Sequence, residues 1–329
     1  MTEPTWTVAE PRKLVFEDPV TALSVRIVNG AVNVVGVEEG PARLEVSGIE
    51  GPPLTVTHRD GTLTVAYEDL PWHGFLEWLD PKNRQRSVVV SLAVPAGASV
   101  EVGVIGAGAV VSGIGGRTAV RGISGDITLV GLSGTVRADT VSGSLEAQGV
   151  TGSLGFHSVS GNLTVVDGSG SSVRADSVKG DMVVDVDPAG KPTDIALTTV
   201  SGEVAVRLPH PADATVEANT VSGSLSSAFE DLRVSGTGAS PAPDGSRAWG
   251  WGAKRITGRL GAGNGRLRAT TVSGAIALLR RPPAGPDPYG AEAGGAPPAD
   301  APPTDGSPTD APPTDDTPLT HTPADKKVL

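Results

Sequence analysis

The sequence predicts an all-β protein, a β-solenoid of about 18–22 residues and two strands per coil. Three observations lead there. A valine, small polar residue and glycine recur together, and Gly116, Gly125, Gly134, Gly143, Gly152 and Gly161 follow one another at nine residues. Between these glycines apolar and polar residues alternate, the period of a strand with one dry and one wet face. The composition of 44 glycines and 28 prolines with only 3% aromatics suits short strands and tight turns rather than helices around a bulky core.

Taken in order, the chain begins with a polar arm, residues 1–13, followed by a solenoid domain at residues 14–281. "VNGAVNV" (28–34) fits the repeat through Val28, Gly30, Val32 and Val34. "LTVTHRDGTLTV" reads as a hairpin, because Asp60-Gly61 suits the positive φ angles of a type I′ turn. Residues 70–80 are the one stretch with helical spacing, through Trp72, Phe75, Leu76 and Leu79. "SVVVSLAVP" and "SVEVGVIG" are further strands, and the nine-residue units start soon after them.

Each unit holds seven strand residues and a two-residue corner. The odd length makes the chain turn at every corner to keep its apolar side inward. Around Gly143 the residues of the glycine's parity are Val141, Leu145 and Ala147, and around Gly161 they are Val159, Leu163 and Val165. All six are expected on the buried face, and Thr140, Ser158, Ser177, Thr199, Thr220 and Thr271 are expected at corners. Alternate corners are rich in glycine or proline instead (Gly131, Gly149, "VDPAG", "LPHPADA"), so a full coil spans two units. Gly180, Gly202, Gly223 and Gly274 carry the series onward, interrupted by a loop insertion at 236–262. Such coils bury their apolar faces only against neighbouring coils. Residues 282–329 are rich in proline, alanine, aspartate and threonine, a composition that predicts disorder.

The net charge of −11 is uneven: the tail holds eight acidic and two basic residues, which leaves −5 for the first 281. A body without a basic stripe points away from nucleic acid as a partner. The chain has no cysteine, which excludes disulfides and thiolate chemistry. It shows neither an apolar leader nor a run long enough to span a membrane, so a cytoplasmic protein is expected. No paired-histidine metal motif, nucleophile elbow or phosphate loop occurs, and no cofactor, metal or catalytic residue is assigned.

The "TVSG" corners, the "VTHRDGTLTVAYED" hairpin and the tryptophan-rich segment after it resemble the bacterial toast-rack family, also labelled adhesin and head-GIN-like. The resemblance covers roughly residues 14–281 and implies a β-solenoid of unknown function, some relatives being attached to membrane-stress proteins.

Candidate sites are few. Trp72, Phe75 and Trp78, followed by Lys82, Arg84 and Arg86, read as a cap over an open solenoid end, with a docking anchor for a partner or a membrane surface as the alternative. Trp249 and Trp251 sit in a glycine-rich loop, either patching a flank or forming a stacking platform. Asp139, His157 and Asp176 precede equivalent corner residues, so in stacked coils they form a column of a kind that binds a divalent cation or does acid–base chemistry; exposed charges at such places are ordinarily just solvated. Asp181 and Glu203 are expected to neighbour each other in the same way. The reading that follows is a non-enzymatic scaffold for another protein, with an adhesin-like surface protein or a carbohydrate-active β-helix enzyme as alternatives.

Overall fold

The computed structural model of the chain describes residues 4–67, 86–169, 172–186, 194–236 and 253–282. These residues form strands, turns and bends without a helix; the segment 70–80 lies outside them. None of the described elements is a helix long and apolar enough to cross a membrane. Among the described residues fourteen strands make one sheet, called A here, and twelve make a second, sheet B. The two sheets enclose one apolar core of valine, leucine, isoleucine and alanine, with Phe156 among its largest fully buried side chains.

From Ser99–Val104 to Met182–Val186, strands alternate between the sheets. Each pairs in parallel with the strand of the same sheet one coil back: Val136–Thr140 with Thr118–Gly122, and Leu145–Gln148 with Ile127–Val130. A coil therefore contains one strand of each sheet and two corners. This is the two-strand solenoid that the nine-residue rhythm predicts.

The repeat glycines are required by close backbone approach. A Cβ on Gly143 would lie 2.1 Å from the carbonyl oxygen of Gly125, and one on Gly161 would lie 2.0 Å from that of Gly143. The same overlap recurs at Gly180, Gly202, Gly274 and Gly223, each against the glycine of the preceding coil in the stack. On the opposite edge, Gly134 and Gly152 approach their predecessors as closely.

At the "TVSG" corner the structure corrects the expected facing. Thr140, Ser177, Thr199, Thr220 and Thr271 are buried, and their hydroxyls, with that of Ser158, accept hydrogen bonds from the glycine N–H three residues on, at 2.7–3.2 Å. Val141 and Val159, read as inward, face solvent. Parity failed here because the turn falls between threonine and glycine, so both point in and the intervening Val-Ser pair points out. The inward hydroxyl satisfies an amide that the bend takes out of the sheet ladder.

The two ends depart from the parallel stack. Thr5–Val8 pairs antiparallel with Leu54–Arg59, and Arg12–Phe16 with Ala42–Glu50, so these residues of the expected arm are part of the sheets. Leu54–Arg59 and Thr62–Ala66 form the expected hairpin, with φ of 49° at Asp60 and 74° at Gly61. At the other end Lys254–Leu260 is a strand inside the expected loop insertion, antiparallel to both Ala214–Thr220 and Arg233–Gly236. Antiparallel strands at the first end of both sheets and at the far end of sheet A interrupt the row of parallel ladders to which a further coil would add, while sheet B ends on the short parallel strand Leu225–Ser227.

Coil order also departs from chain order. The strand Gly265–Thr271 lies between Asp194–Thr199 and Ala214–Thr220, and Ile276–Arg280 lies between Val204–Leu208 and Leu225–Ser227. The coil made last is thus inserted ahead of the coil made before it.

Candidate functional site

Asp139, His157 and Asp176 occupy equivalent outward positions on three adjacent strands of sheet A, paired in register. His157 Nδ1 lies 3.2 Å from Asp139 Oδ1, and Nε2 lies 3.7 Å from Asp176 Oδ2. The first approach is off the N–H direction, and Nδ1 makes no hydrogen bond. Asp139 is held from its other side by Arg137 Nε at 2.8 Å, and this hydrogen bond raises the guanidinium pKa above its ordinary value. The sequence-predicted column therefore assembles. Its chemistry is that of a partly exposed side-chain ladder: the imidazole fills the space between the carboxylates, leaving no opposed acidic walls for a substrate. No three acidic or histidine side chains among the described residues are arranged to hold a metal ion.

Asp181 and Glu203 are neighbours as expected, but through the backbone. Asp181 Oδ1 accepts the N–H of Glu203 at 2.8 Å, as Asn162 Oδ1 accepts that of Asp181 at 2.9 Å and Asp126 Oδ1 that of Ser144 at 3.0 Å. This column ties coil to coil and is not a binding constellation.

Arg86 stands with its guanidinium carbon 5.3 Å from the centre of the Tyr67 ring, and its carbonyl accepts from Asn29 Nδ2 at 3.1 Å. It packs against the solenoid instead of forming a free basic rim. Trp72, Phe75, Trp78, Lys82 and Arg84, with Trp249 and Trp251, lie outside the described residues.

Two features escaped the sequence reading. The first is a buried ionic clamp on sheet B. Asp185, nearly inaccessible, receives two hydrogen bonds from Arg207 and lies 3.4 Å from Arg281 Nη1, while Arg281 Nη2 reaches Asp167 at 2.7 Å. Donating these hydrogen bonds to Asp185 raises the Arg207 pKa. Asp185 interrupts the apolar run "VVDV", which is the signal of the clamp in the sequence. The clamp joins four neighbouring coils around one desolvated carboxylate, an arrangement whose disruption costs more than its presence contributes.

The second is the row of corner valines. Val141, Val159, Val178, Val200, Val272 and Val221 follow one another along the stack, each 38–50% exposed. Beside them Ser142, Ser160, Ser201, Ser273 and Ser222 hydrogen-bond through N–H and hydroxyl to the carbonyl of the aliphatic corner residue one coil back. The serines hold the corner backbone in line, so the valines form a regular ridge with a spacing of ~4.8 Å.

Comparison with known proteins places the fold. No curated protein matches the sequence. Two solved structures resemble the chain at 10% identity. One, from Clostridium sporogenes ATCC 15579, is called a "putative cell adhesion protein" (TM-score 0.26, covering 83% of this chain and 100% of that one). The other, from Parabacteroides distasonis ATCC 8503, is called a "putative lipid binding protein" (TM-score 0.37, covering 82% and 97%). The family model for Toastrack DUF4097 matches residues 31–242, more than half of the chain. With its two-strand coils, close-packed glycine corners and this match, the chain belongs to the Toastrack DUF4097 family.

Proposed function

We propose that the chain is a non-enzymatic β-solenoid scaffold that binds another protein along its valine corner. The observation that carries this reading is the unbroken row of six half-exposed valines, one in each of six stacked coils. A soluble fold has no folding reason to keep six aliphatic side chains in line on its outside, and contiguous exposed apolar surface marks interaction sites. The flanking serines present hydroxyls beside the ridge, which suits a contact with an apolar centre and a polar rim.

The test compares the intact chain with a Val159→Ser, Val178→Ser, Val200→Ser variant in affinity capture from the source lysate. A specific protein held by the intact chain and lost from the variant, with an unchanged circular dichroism spectrum, supports the corner as the docking surface. Equal capture by both proteins would refute it.

A further inference from the structure

On the outer face of sheet A one register column reads Glu101, Ala119, Arg137, Gly155, Arg174, Ala196, Arg268, Glu217. Long arginines alternate with small residues, and an acidic residue closes the series at each end. Between the arginines lies an open hollow of about 600 Å³, whose lining includes Gly155 and Ala196 with Arg137, Arg174, Arg266 and Arg268. Arg137 and Arg268 each give one nitrogen to a neighbouring carboxylate, Asp139 and Glu217. The side chains of Arg174 and Arg266 make no ion pair or hydrogen bond among the described residues. Asp194 is the one acidic residue in the lining. The hollow is therefore a locally cationic strip on a protein of net charge −11.

The spacing of the column selects a ligand shape. Arginines on every second coil stand ~9.6 Å apart, twice the inter-strand distance. A polyproline II peptide has three residues per turn and advances ~9.3 Å in that turn, so side chains at i, i+3 and i+6 share one face at nearly this interval. A β-strand repeats its face at ~6.7 Å and falls out of step within one interval. Ser153, Ser172 and Thr135 also line the hollow and offer hydroxyls to a backbone that, in polyproline II, has no internal hydrogen bonds. No tryptophan, tyrosine or phenylalanine lines it, and the His157 imidazole is the one ring in the lining, a small platform for base or sugar stacking.

We propose that this groove binds an acidic polyproline II segment of a partner protein, with carboxylates at every third residue meeting Arg137, Arg174 and Arg268. The carboxylate between the outer two is received by Arg174, whose guanidinium is free to bind it in the two-pronged manner. The proposal deepens the scaffold reading, on which it rests, by naming a second surface and the chemistry of its ligand.

The test is a fluorescence-anisotropy titration of the full-length chain with labelled (Pro-Pro-Glu)5. Controls are (Pro-Pro-Gln)5 and a Pro-Glu alternating peptide with the same number of glutamates. The every-third peptide should bind, the glutamine peptide should not, and the alternating peptide should bind roughly tenfold more weakly. Arg174→Gln should lose about tenfold in affinity at an unchanged melting temperature. Should that variant fail to fold, Ala196→Arg, which fills the hollow from an outward position, is expected to abolish binding. Binding that ignores glutamate spacing, or that survives both substitutions, overturns the proposal. So does tighter binding of hexagalacturonate or of polyphosphate at matched charge, which reassigns the groove to a glycan or a phosphate polymer. The Val159→Ser, Val178→Ser, Val200→Ser variant should bind the peptide like the intact chain. A failed groove and a failed valine corner are thus separate results.

Discussion

The coil turns at two corners, and each solves the bend with a different backbone. At the "TVSG" corner the glycine keeps an ordinary φ and is needed because the preceding coil's carbonyl occupies the space a Cβ would fill. At the other corner Gly113, Gly131 and Gly149 have φ of 66°, 61° and 61°, and at Gly131 and Gly149 a Cβ would meet nothing within 4 Å. The first corner is governed by contact between coils alone, while the second joins such a contact, at Gly134 and Gly152, to the left-handed conformation of one further residue. In the following coil Asp167 takes the second role with φ of 51°, and its carboxylate gains the ion pair to Arg281. A side chain is therefore tolerated at the left-handed position of the second corner and excluded where a glycine meets the preceding coil.

Substitutions can break this contrast directly. Gly161→Ala should have the largest effect, destabilising by roughly 3 kcal/mol or more, because its Cβ would meet a backbone carbonyl that cannot move without separating two coils. Chemical denaturation would measure it, and a loss below 1 kcal/mol would mean the coils spread easily. Thr199→Val should cost about 1–3 kcal/mol, since it leaves the Gly202 N–H unpaired beneath the corner. Gly149→Ala should cost about 1–2 kcal/mol, the penalty for a left-handed conformation without any clash. If Gly149→Ala proved worse than Gly161→Ala, the contrast would be reversed.

Two smaller effects sharpen the picture. Thr118 stands in an inward column between Val100 and Val136, fully buried, with its hydroxyl unpartnered among the described residues. Thr118→Val should raise stability by about 1 kcal/mol, read as a higher denaturation midpoint. Asp213, on the turn side of the second-corner edge, accepts the N–H groups of Gly263 and Asn264 and the side-chain amide of Asn264 at 2.6–3.0 Å. These hydrogen bonds, led by those from Asn264, lower its pKa. Its contribution is then complete above the unfolded aspartate value near ~4 and fades as pH falls through the lower folded value. Asp213→Asn should flatten the acid limb of the stability profile slightly; an unchanged limb would show that this cap is not coupled to unfolding.

The coil length, the two-strand coil and the Asp60-Gly61 hairpin were legible because each follows from local rules: a glycine where two backbones touch, a period of two, a turn dipeptide. The facing of the corner valines was not, since parity cannot be carried through a bend whose position is unknown. Coil order was hidden for another reason. Gly202, Gly223 and Gly274 sit in near-identical "TVSG" or "TVSGE" surroundings, and only the folded chain shows that Gly202 meets Gly274 and that Gly274 meets Gly223. The aspartate–histidine column could be read because its members lie 18 and 19 residues apart in regular coils. The arginine column could not, because Arg174 and Arg268 become neighbours but one only after the insertion is known.

That insertion orders events during synthesis. Residues 214–227 leave the ribosome before residues 265–280, yet in the finished stack they are reached only through them. A chain interrupted short of Gly265 would carry both a finished run of coils and a stranded one, with the two matching sheet edges of the vacant slot open to other chains. The last coil acts as a keystone: translation must reach it before the coils on either side can join, and a premature stop there should yield an aggregating product rather than a shorter soluble one.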